Sequence, residues 1–307
     1  MSLLVVGSIA FDSVETPFGK VEEAIGGSAM FFSASASYFT DVKLVAVVGE
    51  DFPEAEIDFL QSRDVDCQGL HRKEGKTFRW EGKYGFDLNE AITLDTQLNV
   101  FGDFHPELPE DYRDAKSVFL ANIDPELQLE VLEQVRDPDF VAADTMNYWI
   151  DGKRDALEAV LARVDMAVIN ESEARKLADE SNMVQAARAI QKLGPRHVVI
   201  KRGEYGALCF ADDEICFAPA YPLESVFDPT GAGDTFAGGL LGYLSRQGQF
   251  RPRDLRQATV LGCVMASFCV EDFSLESLRE LDFNIIERRF EKFQRLVNFE
   301  PLELLDE

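Results

Sequence analysis

The stretch "DPTGAGDTFAGG", residues 228–239, sets four glycines and two carboxylates within twelve positions. Small residues followed by an apolar run read as a loop that opens a helix, whose first N–H groups lack intrahelical partners and attract anions. Asp234 then puts a negative charge where an anionic ligand would sit. The loop is not a Walker P-loop, which needs Lys and Ser/Thr after its last glycine. Nor is it a dinucleotide fingerprint, because Phe236 stands where the third glycine belongs and the loop falls late in the chain. What remains is a Gly-Ala-Gly turn carrying Asp234 in the first turn of a helix, where the helix dipole stabilises a carboxylate. Taken alone, such an Asp is an ordinary acidic residue at a helix start.

Working outward, the flanking sequence alternates buried strands and helices. "LLVVGSIAF" reads as a buried strand ending at Asp12, and the uncharged "GGSAMFFSASASYF" (26–39) as a packed helix entered through Gly26 and Gly27. Strands follow at 42–51, 117–122, 139–144, 166–170 and 197–203, with helices between them and a hairpin "GALCFADDEICFAP" after the last. That rhythm predicts an α/β fold with a parallel sheet covered on both faces. Two stretches break it, 13–22 and 72–101, where polar and apolar residues alternate as in half-exposed antiparallel strands. Together they are expected to form a small β-sheet lid inserted in a core of residues 1–12, 23–71 and 102–307. The lid also offers a surface for a homodimer, since exposed sheet edges tend to be covered.

Composition narrows the classes of function. The 307 residues carry 56 acidic against 30 basic groups, a formal charge of −26, which repels nucleic acid and anionic membranes. Only 11 of the basic residues are lysine, a balance suited to high salt, where screening relieves self-repulsion, and equally that of an acidic mesophilic enzyme. No apolar run reaches membrane-spanning length and no basic segment precedes the first, so the cytoplasm is the expected location. Five cysteines without a CxxC pair fit a reducing compartment; Cys209 and Cys216 flank a turn and are read as strand packing. The three histidines stand at no metal-ligand spacing.

The whole string "DPTGAGDTFAGGLL" resembles the C-terminal signature of the ribokinase-like (PfkB) carbohydrate kinases. Further elements resemble that family in the same order: "VVGSIAFD" with Asp12, the pair Gly26–Gly27, "VVGEDFP", "NESEA" (170–174) and "VVIKRGEYGAL". The resemblance implies a central, mostly parallel sheet between helices with a small lid, and transfer of the γ-phosphoryl group of ATP to a hydroxyl of a small unphosphorylated sugar or polyol. It implies Asp234 as the general base, with the N–H groups of Gly231, Ala232 and Gly233 as the anion hole. It places Asp12, Gly26 and Gly27 on the substrate. Lys201, Gly203 and Gly206, with Arg202, would meet the nucleotide phosphates. Asn170 and Glu173 would stand near Mg²⁺ through water, although by themselves they read as a helix cap plus a surface acid. Asp228 and Thr230 would hold a monovalent cation, K⁺.

The sequence also departs from the pattern. Sugar-specific relatives carry asparagines where Ala10 and Met30 or Phe31 stand here. Met30, Phe31 and Phe32 are either helix core or the wall of a pocket for an apolar part of the substrate, as in nucleoside-phosphorylating relatives. The first basic residue after strand 139–144 is Lys153, which argues for an unphosphorylated acceptor; Asn147, Tyr148 and Trp149 there, and Thr77, Arg79, Trp80 and Tyr84 in the lid, are open between substrate contact and packing. Asp272 and Ser274 stand where relatives often have glycine on the adenine side. The alternatives are a nucleoside kinase of the same fold and a catalytically silent ligand-binding or regulatory member. An oxidoreductase on a dinucleotide fold lacks its early glycine motif.

Overall fold

The computed structural model describes residues 2–89 and 91–298. Glu90 and residues 299–307, which the expected lid and core segments include, lie outside the described residues. The chain opens with β1 (Ser2–Val6), β2 (Ala10–Thr16) and β3 (Gly19–Gly26), then α1 (Ser28–Ala36), β4 (Asp41–Val48) and α2 (Glu54–Gln61). It continues through β5 (Val65–Arg72), β6 (Phe78–Tyr84), β7 (Ala91–Gln97), β8 (Ser117–Leu120), α3 (Pro125–Leu132) and β9 (Phe140–Ala143). Next come α4 (Asn147–Gly152), α5 (Arg154–Leu161), β10 (Met166–Asn170), α6 (Glu171–Ala178), α7 (Met183–Gln191) and β11 (His197–Lys201). A hairpin, β12 (Ala207–Ala211) and β13 (Glu214–Ala218), precedes α8 (Ala232–Gln247), α9 (Pro252–Cys269), α10 (Glu276–Arg279) and α11 (Phe283–Val297).

Nine strands form one sheet in the order β13-β12-β11-β10-β9-β8-β1-β4-β5, parallel except at the β11–β12 and β12–β13 pairs. Strands with apolar residues on both faces need cover on both sides. Leu3 and Val5 of β1 accordingly enter one core with Phe32 of α1 and Leu240 of α8, while Leu4 and Val6 enter the other with Val131 of α3 and Leu157 of α5. The close approach of α8 to α1 depends on missing side chains. A Cβ on Gly238 would stand 2.5 Å from the Phe32 carbonyl oxygen.

A second sheet, β3-β2-β6-β7, is antiparallel except where β2 and β6 run parallel. It corrects one reading: "LLVVGSIAF" is not a single strand. Ser8 donates its N–H to the Ser28 hydroxyl (3.2 Å), and Ser28 returns its own N–H to the Ser8 hydroxyl (3.1 Å). That interlock draws the chain out of the central sheet after Val6, so Ala10–Asp12 and Glu23–Gly26 belong to the small sheet. Strand β5 had no clear apolar signal because it is the edge of the central sheet, with charged and polar residues along it. The five cysteines are free, Cys209 and Cys216 facing each other across the hairpin unbridged. Among the described residues no helix is long and apolar enough to cross a membrane.

Candidate active site

Gly231 caps α8 in the left-handed region, φ +75°, and its carbonyl accepts the Thr235 N–H at 2.8 Å. A Cβ there would lie 2.4 Å from the ring of Phe31. Met30, Phe31 and Phe32 are all fully buried, so the three are core, and Phe31 forms the floor on which the loop rests. The Ala232 N–H closes a turn onto the Pro229 carbonyl at 3.2 Å, which removes it from the expected anion hole. The N–H groups of Gly231 and Gly233 have no acceptor in the protein among the described residues and remain available to an anion.

Asp234 follows in the first turn, half-buried. Burial raises its carboxyl to about 7; the Asp144 charge adds to the shift, while Lys201 and its own N–H oppose it. Asp12 reaches the same site from β2. Its carboxyl is also pushed up to about 7, by burial first, with the Gly27 N–H opposing and the charges of Asp228 and Asp234 adding. Gly26 serves Asp12 by leaving room and Gly27 by its N–H. A Cβ on Gly26 would overlap the Asp12 carboxylate at 1.9 Å, and Gly27 has φ +96° with the Ser8 carbonyl 2.6 Å from its absent Cβ.

Across the loop, β9, β10 and β11 deliver their C-terminal ends to one edge, where open α/β sheets gather ligands. The Lys201 ammonium at the end of β11 donates to Asp144 Oδ2 at 2.7 Å, and a Cβ on Gly233 would stand 3.2 Å from that ammonium. Asn170 caps α6: its N–H and side-chain amide donate to the two Glu173 oxygens at 2.7 and 2.6 Å, and its Oδ1 accepts the Glu173 N–H at 2.8 Å. Glu173 is no surface acid; it is 6% exposed and burial raises its carboxyl to about 8, the Asp144 charge adding. Asp144 itself escaped sequence reading. Its only signal is an acid ending the buried run "DFVAAD", on the same sheet edge as Asn170 and Lys201.

Other candidates fall elsewhere. Arg202 pairs with Glu171 at 2.6 Å instead of facing the cleft. Asn147 donates to Ser172, Trp149 to Asn122, and Tyr148 is exposed. Thr77 and Arg79 bond to Asp51, whereas the Trp80 indole lies over Gly82 and donates to Thr93 at 3.2 Å. Tyr84 accepts the Thr230 hydroxyl at 3.3 Å, joining the small sheet to the loop. Asp228 is buried and accepts the Thr230 N–H at 2.9 Å and the Ser274 N–H. Ser274 adopts φ +58°, a conformation that explains why glycine suits that position.

A cleft of about 600 Å³ runs from Asn170, Lys201, Gly203, Gly206 and Gly233 to an apolar end at Tyr221, Val226 and Val270. The 220–226 segment of that wall carried no motif and went unread. Asp144, Glu173 and Asp234 around one ammonium gather hard oxygen donors, which suit a magnesium ion. Among the described residues no cluster of three ligating side chains could hold it directly, so the ion would depend on phosphate oxygens and water, as nucleotide-bound Mg²⁺ does.

A helix opened by glycines, with two free N–H groups and a carboxylate in its first turn, is an arrangement that can receive a phosphoryl group. The chain belongs to the pfkB family of carbohydrate kinases, whose model matches residues 2–280. It is 32% identical over 270 residues to a cytidine kinase of Thermococcus kodakarensis, covering 85% of this chain and 93% of that one. It shares its fold, at 19% identity and a TM-score of 0.78, with a Burkholderia thailandensis nucleoside kinase in complex with inosine, over 94% of this chain and 96% of the other. A ribokinase II of E. coli in complex with ATP and Mg²⁺ aligns with a TM-score of 0.77 at 20% identity, over 95% of this chain and 99% of that one.

Proposed function

We propose that this kinase transfers the γ-phosphoryl group of MgATP to a hydroxymethyl group of a nucleoside, with Asp234 as the base. The carrying observation is Asp234 itself, accessible in the first turn of α8, with its carboxyl raised to about 7 beside the free N–H groups of Gly231 and Gly233. Phosphoryl transfer asks mainly for positioning and charge neutralisation, and these groups supply both. Asp12 holds hydroxyls of the acceptor on one side. Asp234 takes the proton of the attacking hydroxyl, and the two loop N–H groups receive the charge that develops on the phosphoryl oxygens. Lys201, Gly203 and Gly206 line the phosphate end of the cleft. Asn170 and Glu173 would hold Mg²⁺ through water, where it would supply charge neutralisation for the phosphates.

The small sheet acts as a lid, tied to the loop by Tyr84 and Thr230. Its strand β7 is exposed along its whole length, the edge on which a second copy would pair. Asp228 and Thr230 would hold K⁺. The 32% identity to a cytidine kinase favours a nucleoside over a free sugar or polyol.

The test is ADP release with MgATP across nucleosides, sugars and polyols, with and without K⁺, for wild type and Asp234→Asn. Nucleosides should be the best acceptors, and the variant should lose about 10²–10⁴-fold in kcat. Unchanged turnover in the variant would sink the base; turnover on sugars or polyols alone would move the substrate class. Nucleotide binding without turnover on any acceptor would mark a silent member.

A further inference from the structure

Three carboxylates, Asp144, Glu173 and Asp234, share the field of one ammonium, that of Lys201. Within 4.0 Å it pairs with Asp144 alone among the described residues. The geometry around Asp144 shows why. One of its oxygens takes the ammonium and the other takes the Thr145 N–H, both at 2.7 Å. Its own N–H donates to the Leu120 carbonyl at 2.9 Å. Gln128 of α3, wholly buried, donates its amide to the carbonyls of Asp144 (2.9 Å) and Ala121 (3.0 Å), pinning the ends of β8 and β9 together. A buried amide needs partners, and Gln128 finds them in the backbone from which Asp144 projects.

We propose that Asp144 is a positioning residue: braced by Gln128, it holds the Lys201 ammonium beneath Gly233 and away from Asp234, leaving Asp234 free to take a proton. The proposal rests on the kinase-site reading above. A buried ammonium does not stay unpaired, because an uncompensated charge there is strongly unfavourable. Without Asp144 it turns to the next carboxylate, and a carboxylate paired with lysine is a weak base. The same salt bridge fixes the positive charge where the transferring phosphoryl group meets the loop, since the ammonium underlies Gly233.

The test compares wild type, Asp144→Asn, Lys201→Met and the double variant. Asp144→Asn should lower kcat at least about tenfold while the acceptor KM and the Kd for MgADP, by calorimetry, stay within about threefold. The double variant should be no slower than Lys201→Met, because the harm comes through the freed ammonium. Gln128→Leu, remote from the charges, should lose about threefold in kcat and nothing further on the Lys201→Met background. A crystal structure of Asp144→Asn should place the Lys201 ammonium on the Asp234 carboxylate. A kcat within twofold of wild type, an equal loss on the Lys201→Met background, or an ammonium that keeps its place would each overturn the proposal. Wild type that phosphorylates no acceptor would instead refute the kinase-site reading, and the crystal structure would still decide where the ammonium goes.

Discussion

Gly231→Ala adds one methyl group at the point where loop and core meet. At φ +75° an L-residue is disfavoured by about 1–2 kcal/mol. The new Cβ would stand 2.4 Å from three ring carbons of Phe31, far inside contact distance. Phe31 is 1% exposed, so its ring has nowhere to go without overpacking, which adds about 1–3 kcal/mol. The sum, roughly 2–5 kcal/mol, appears either as lost stability or as a displaced loop. Taken as stability it lowers Tm by roughly 4–10 °C in a chain of this size. Taken as displacement it moves the Gly233 N–H and Asp234, and about 1 Å of misplacement can cost about 100-fold in rate. Calorimetric unfolding and ADP release, measured on the same preparation, separate the two. Adding Phe31→Leu opens space beside the methyl but leaves the backbone angle, so the double variant should recover part of the loss. A Gly231→Ala protein with Tm within about 1 °C of wild type and turnover within twofold would refute the account. So would a double variant whose losses simply add.

Three further outcomes follow from the site. Because the Asp234 carboxyl of the free protein is raised to about 7, kcat/KM should climb roughly tenfold per pH unit below that value and level above it; a profile flat from pH 5 to 8 would exclude Asp234 as the base. Stability runs the other way. The unfolded chain releases the Asp234 proton near its ordinary value of 3.8 while the folded state keeps it to about 7, so Asp234→Asn should gain stability relative to wild type as pH rises through that window, read by urea unfolding. Tyr84→Phe removes the 3.3 Å tie between β6 and Thr230, worth about 1 kcal/mol or less, and should raise the acceptor KM a fewfold with kcat steady. A tenfold fall in kcat at constant KM would show that Tyr84 acts in the chemistry instead.

Much of the architecture was legible in the chain because its signals are local. The alternation of apolar strands with amphipathic helices predicts a covered parallel sheet, and the loop at 228–239 announces a helix start with a carboxylate in its first turn. Strand β5 was not legible, since an edge strand carries polar residues that blur the pattern. Nor was the break after Val6, because it depends on hydroxyls of Ser8 and Ser28, twenty residues apart, meeting in space. In the site, Asp12, Asp234, Asn170, Glu173 and Lys201 could be named from motifs. Asp144 and the 220–226 wall could not, for neither carries a pattern of its own.

Residue order alone determined that small residues would expose N–H groups at a helix start and that a carboxylate would follow them within one turn, since both follow from local backbone geometry. Only the tertiary structure decided which N–H groups stay free, which carboxylates keep a raised proton affinity and which one the lysine holds. Those outcomes depend on burial and on charges carried by β2, β9, α6 and β11, segments distant in the chain that the sheet brings to one edge.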